Sequence, residues 1–126
     1  MGYIKHNAVI VTYWNKQDIE EAHLKAIEVY KDNIDCVSSE KCISPIMEGV
    51  ANQQFSFFIA PDGSKSGWQT EEQAKNARKI FQNFLLDSGT CEYIEICFGG
   101  DCDTEFIVRS AESDLNKTQK RKRSIK

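Results

Sequence analysis

Two prolines and two histidines in 126 residues leave little to interrupt the chain and little to serve as a general base. Scarce proline argues against long stiff linkers, and 40% hydrophobic with 28% charged residues is the composition of a chain that folds. Long hydrophobic runs are missing too. Apolar stretches such as residues 8–13 and 55–60 fall far short of the ~20 residues that cross a bilayer. The start of the sequence has no apolar signal region, and His6 stands where a myristoylated chain carries Ser or Thr, so the expectation is a cytoplasmic protein. Cys-x-x-Cys pairs are absent. Cys36, Cys42, Cys91, Cys97 and Cys102 are odd in number and fit no zinc spacing, so they read as reduced structural or surface thiols, with no metal or cofactor called for.

Charge is scarce in neither sign, but it is unevenly placed. The net charge is −3, yet residues 117–126 hold six basic and no acidic groups, which leaves ten basic against nineteen acidic groups in residues 1–116. An acidic body repels a phosphate backbone, so no nucleic-acid polymer is expected on it. The length suits one core. We therefore expect a single α+β ligand-binding domain over residues 1–112 and a basic, solvated tail over residues 113–126.

Residues 8–13 form a β-branched and aromatic run, short enough to be a buried strand. Asn15 then stands as an N-cap, and Ile19, Ala22, Ala26, Ile27 and Tyr30 recur at helical spacing, which predicts a helix over residues 16–30. Residues 31–44 lack periodicity and read as a loop or flap. Residues 45–50 and 55–60 predict a hairpin, ended by the turn Pro61-Asp62-Gly63. Thr70-Glu71-Glu72-Gln73 has the form of a capping box, and Ala74, Ala77, Phe81, Phe84 and Leu85 continue an apolar stripe toward Gly89, giving a second helix. Residues 91–98 alternate, and Gly99-Gly100-Asp101 turns the chain into a last strand over residues 105–109. The predicted order is βαββαββ: an antiparallel sheet with two helices packed on one face, in ferredoxin-like layers.

Both strand-to-helix junctions pair an aromatic residue with a helix start. One carries Trp14 and Asn15; the other carries Ser64, Lys65 and Trp68. A helix N-terminus offers unpaired N–H groups to an anion, and a nearby lysine and serine add donors for phosphate oxygens. An indole stacks on a base. The spacing is not that of a P-loop, so the second junction is not read as an ATPase, and both tryptophans equally suit folding back on the core. Arg109 and Arg78 suit either phosphate contact or surface pairing, and Asn83 suits either a polar ligand edge or an exposed helix face. His23 reads as a satisfied or exposed side chain, and the carboxylates Asp101, Asp103 and Glu105 as a charged hairpin turn without EF-hand spacing.

Residues 5–15, which carry Val9-Ile10-Val11-Thr12-Tyr13-Trp14, and residues 56–68, which carry Phe57-Phe58-Ile59-Ala60-Pro61-Asp62-Gly63, resemble the phage Thoeris anti-defence family. With the order of elements, the resemblance spans roughly half the chain. It implies a homo-oligomeric sponge, dimeric or larger, acting in the infected bacterial cell. Such proteins bind the cyclic ADP-ribose signal of a bacterial TIR-domain enzyme without cleaving it, and some also hold cyclic oligonucleotides. By position, Trp14 is the family's ligand-contacting tryptophan. The assignment that follows gives stacking to Trp14 and Trp68, phosphate contacts to Ser64, Lys65 and Arg109, and a polar edge to Asn83, with no catalytic residue. Two other readings stay open: a small enzyme acting on a nucleotide or phosphoester through His23 or the Asp101, Asp103 and Glu105 cluster, and a protein-interaction or nucleic-acid-associated accessory domain using the basic tail.

Overall fold

A computed structural model describes residues 5–65, residues 67–99 and the strand 106–110. In chain order the elements are β1 (His6–Tyr13), α1 (Lys16–Asn33), a short 3-10 turn (Ser39–Cys42), β2 (Met47–Glu48), β3 (Phe55–Ile59), α2 (Gln69–Ser88), β4 (Glu92–Phe98) and β5 (Phe106–Ser110). The strands make one antiparallel sheet in the order β2-β3-β1-β4-β5.

Successive side chains of a strand point to opposite faces, and here the phase is set by β1. Val9 and Val11 are fully buried, while Ile10 between them is 43% exposed. Register carries the inward phase to the neighbours: Val9 pairs with Ile59 and Glu95, Val11 with Phe57 and Tyr93. These side chains join Ile19, Ala26 and Tyr30 of α1 and Ala74, Phe81 and Leu85 of α2 in one core cluster, Glu95 excepted. The opposite phase leaves Ile10, Phe58 and Phe98 about two-fifths exposed on the other face of the sheet.

α1 starts at the expected cap: Asn15 accepts from the Asp18 N–H at 3.1 Å. It runs one turn beyond the expected end, because the Asn33 amide donates back to the Val29 carbonyl at 2.8 Å and the Ile34 N–H to Tyr30. The expected loop of residues 31–44 is partly ordered against the sheet, with Ile43 bridging to Ile59 and the Ser44 N–H donating to the Phe58 carbonyl. The hairpin before β3 is shorter than expected. Within residues 45–50, only Met47 and Glu48 form ladder pairs with β3; beyond them the Gly49 N–H closes onto the Gln54 carbonyl at 2.7 Å and Asn52 and Gln53 both adopt left-handed backbone.

The expected capping box of α2 is not formed. The helix begins at Gln69, one residue before Thr70, and Thr70 spends its hydroxyl on Ser64 while Glu71 accepts from the Gly67 N–H at 2.7 Å. The far end follows the expectation, with Gly89 left-handed at φ 70° and donating to the Leu85 carbonyl. That conformation costs a residue with Cβ ~1 kcal/mol or more, which is why glycine suits it.

Candidate functional site

Two adjoining recesses lie where β3 ends, α2 starts and β1 begins. The first, of about 320 Å³, has Ile34, Cys36 and Cys42 on one side and Trp68, Ser64 and Thr70 on the other. Trp68 is 52% exposed, and the Lys65 ammonium stands 5.9 Å from the centre of its ring. Its lip is tied to α2 by the Asp35 N–H, which donates to the Gln73 side-chain oxygen at 2.9 Å. Ser64 is buried, its N–H donates to Asp62, and its hydroxyl is paired with that of Thr70. Between them the two hydroxyls keep one O–H that finds no acceptor among the described residues. Burial pushes the Cys42 thiol above its ordinary value, and the neighbouring Asp62 and Cys36 push it the same way, so Cys42 is a protonated thiol at neutral pH.

The second recess, of about 370 Å³, shares Asp62 and Ser64 with the first. Lys5, Lys75 and Lys79 stand around it, and Arg78, Glu95 and Asn7 form its wall. Glu95 gathers three donors. Its Oε2 accepts from Arg78 Nε and Asn7 Nδ2, each at 3.0 Å, and its Oε1 accepts from Gln82 Nε2 at 2.8 Å. Arg78 also reaches Asp62 at 3.4 Å through a terminal guanidinium nitrogen. The side chains of Arg78 and Glu95 are only 7% and 8% exposed, so Arg78 is a buried ion-pair partner and not the surface cation expected from its charged neighbours. Burial raises the Tyr30 hydroxyl far above its ordinary value, and the Arg78 guanidinium beside it offsets part of that rise.

Not all of the expected site residues come together. Trp68, Ser64 and Lys65 do. Trp14, 58% exposed, stands at the other end of the sheet beside a separate hollow of about 510 Å³ with Asn15, Lys16 and Phe55. The cause is topological: β1 and β3 are antiparallel, with Tyr13 opposite Phe55 and Val9 opposite Ile59, so the loops after them leave from opposite ends. Four residues separate those pairs, which is ~14 Å of strand. Asn83 is exposed on α2 and lines none of these recesses. The backbone of Arg109 pairs with Glu95, while its side chain lies outside the described residues, as do the Asp101, Asp103 and Glu105 cluster and the tail at 113–126. His23 is held by structure, bonded through Nε2 to the Ser44 carbonyl at 2.8 Å and set edge-on to Phe57.

The second recess was missed in the sequence, although two signals pointed to it. Glu95 shares the inward phase of its strand with Tyr93, and an inward carboxylate needs a cation. Arg78 follows Ala74 by four residues and precedes Phe81 by three, which puts it on the apolar face of α2. Comparison with known protein families, curated proteins and solved structures finds no match.

Proposed function

We propose that this chain binds a cyclic ADP-ribose signal and keeps it intact, withholding it from the effector it would switch on, as the resemblance to the phage Thoeris anti-defence family implies. The observation that supports this reading is the recess beneath Trp68. It offers a half-exposed indole for a base, a lysine at the ring, and a spare hydroxyl from the Ser64 and Thr70 pair, at the start of a 20-residue helix. Cyclic ADP-ribose presents a base to stack and a pyrophosphate to neutralise.

In this reading the sheet order is a ferredoxin-like layering with a fifth strand added at one edge. Trp14 contacts ligand only when copies assemble, because the sheet holds it away from Trp68 within one chain; the homo-oligomer is thus part of the proposal. Cyclic oligonucleotides are further candidate ligands, and the infected bacterial cytoplasm is the proposed place of action. Sequestration works by stoichiometry and slow release, so no turnover is required.

Calorimetric titration with cyclic ADP-ribose isomers and cyclic oligonucleotides, followed by heat denaturation and chromatography of the released ligand, tests binding and cleavage together. Tight binding with intact recovery is the expected result, weakened in Trp68→Ala. An altered product would make the chain an enzyme, and no heat with any of these ligands would end the proposal.

A further inference from the structure

We infer that the lysine-rimmed recess beside the Trp68 recess is a diphosphate site, with Lys5, Lys75 and Lys79 as its anion-binding residues. It is lined by four cations and three carboxylates, and every one of the carboxylates is already engaged. Glu95 is held by Arg78, Asn7 and Gln82; Asp62 by Arg78 and the Ser64 N–H; Glu71 by the Gly67 N–H. The three lysines have no ion-pair partner among the described residues. Lys75 and Lys79 are four apart on α2, so they share one face and repel each other. An anion between them and Lys5 removes that repulsion.

The excess of cations over carboxylates here is local, since residues 1–116 carry nineteen acidic groups against ten basic ones. The recess, at about 370 Å³, has the size of a small-ligand pocket. The cations of the lining outnumber its carboxylates by four to three, and its three ammonium groups, without ion-pair partners among the described residues, supply enough donors for the oxygens of two linked phosphates. The buried Arg78 adds a fixed guanidinium behind them, held in place by Glu95 and Asp62. Because Asp62 and Ser64 line both recesses, a ligand whose base sits against Trp68 has its phosphates at the lysines; this step rests on the function proposed above.

Inorganic pyrophosphate and cyclic ADP-ribose are titrated separately into the full chain at low salt, with affinity and backbone amide shifts read by NMR. The variants are Lys75→Ala/Lys79→Ala, Lys75→Arg/Lys79→Arg and Trp68→Ala, each checked for native far-UV dichroism. Pyrophosphate should shift the amides around Lys5, Lys75 and Lys79 and lose about tenfold or more in affinity in the double alanine variant, the size of one lost charge-assisted contact. The arginine pair should retain binding, and Trp68→Ala should leave pyrophosphate unaffected. Failure of wild type to bind pyrophosphate, or binding that survives loss of both lysines, overturns the site. Cyclic ADP-ribose binding that needs Trp68 but not the lysines sinks this inference and leaves the proposed function standing. Lysine-dependent pyrophosphate binding without any cyclic ADP-ribose binding does the reverse.

Discussion

Replacing Glu95 with glutamine keeps shape and volume and removes one charge and one acceptor from the polar centre of the core. Three donors converge on Glu95: Arg78 and Asn7 on Oε2, Gln82 on Oε1. A glutamine has only one oxygen. If that oxygen serves Arg78 and Asn7, the new NH₂ group faces the Gln82 NH₂. Gln82 can escape by turning its amide, since its own Oε1 has no partner among the described residues, but it then gives up its 3.2 Å bond to the Arg78 carbonyl. Among the described residues Arg78 meanwhile keeps only Asp62, at 3.4 Å, as a charged partner. The loss of a charge-assisted bond in a buried setting costs ~1.5–3 kcal/mol, and Glu95→Ala, which removes both acceptor oxygens and leaves Asp62 as the guanidinium's remaining charged partner among the described residues, costs ~3–5 kcal/mol.

Urea denaturation followed by circular dichroism measures both, with Glu92→Gln on the exposed phase of the same strand as the control, expected within ~0.5 kcal/mol of wild type. In thermal melts each kcal/mol appears as ~3–6 °C for a chain of this length. Arg78→Met combined with Glu95→Leu should cost less than the sum of the two single changes, because each single change takes from the other buried charge its 3.0 Å ion-pair partner, a loss the double change does not count twice. A Glu95→Gln protein as stable as the control would refute the whole account of the network.

Stability should fall as pH rises past the ordinary values of 9.0 for cysteine and 10.0 for tyrosine, because burial holds Cys42, Cys91 and Tyr30 protonated in the folded chain. The folded state then keeps protons that the unfolded state releases, so urea midpoints stay level below about pH 8.5 and decline above it, and Tyr30→Phe should flatten the decline; a flat profile to about pH 11 would contradict this. Asn15→Ala removes the side-chain acceptor for the Asp18 N–H and should cost ~0.5–2 kcal/mol in a thermal melt, an effect absent if water replaces the cap without loss.

The sheet and helices were legible in the sequence wherever one signal dominated. The β-branched run before Tyr13 and the stripe from Ala74 to Leu85 both appear as elements of the expected type. What the sequence concealed was competition among signals. Residues 70–73 look like a capping box, but Thr70 had a better use for its hydroxyl in pairing with Ser64. In β4 the more apolar phase, Ile94, Ile96 and Phe98, turns away from the helices, because pairing with β1 fixes the phase for the whole strand and β1 buries Val9 and Val11. At the site, Ser64, Lys65 and Trp68 could be grouped because they are neighbours in sequence. The recess made by Lys5, Asn7, Lys75 and Glu95 draws on three separate elements, and only tertiary structure brings them together.

The antiparallel alignment of β1 and β3 gives the molecule two ends that answer to different parts of the chain. A change in the turn after Tyr13 is felt beside Phe55, and a change after Ile59 is felt beside Asn7, with the rigid middle of the sheet between them. Substitutions more than ~7–10 Å apart with no shared partner combine additively. Within one chain, each end of this protein is therefore free to be altered on its own without changing what the other contributes to stability, and in the proposed assembly the two ends meet only through a ligand shared between copies.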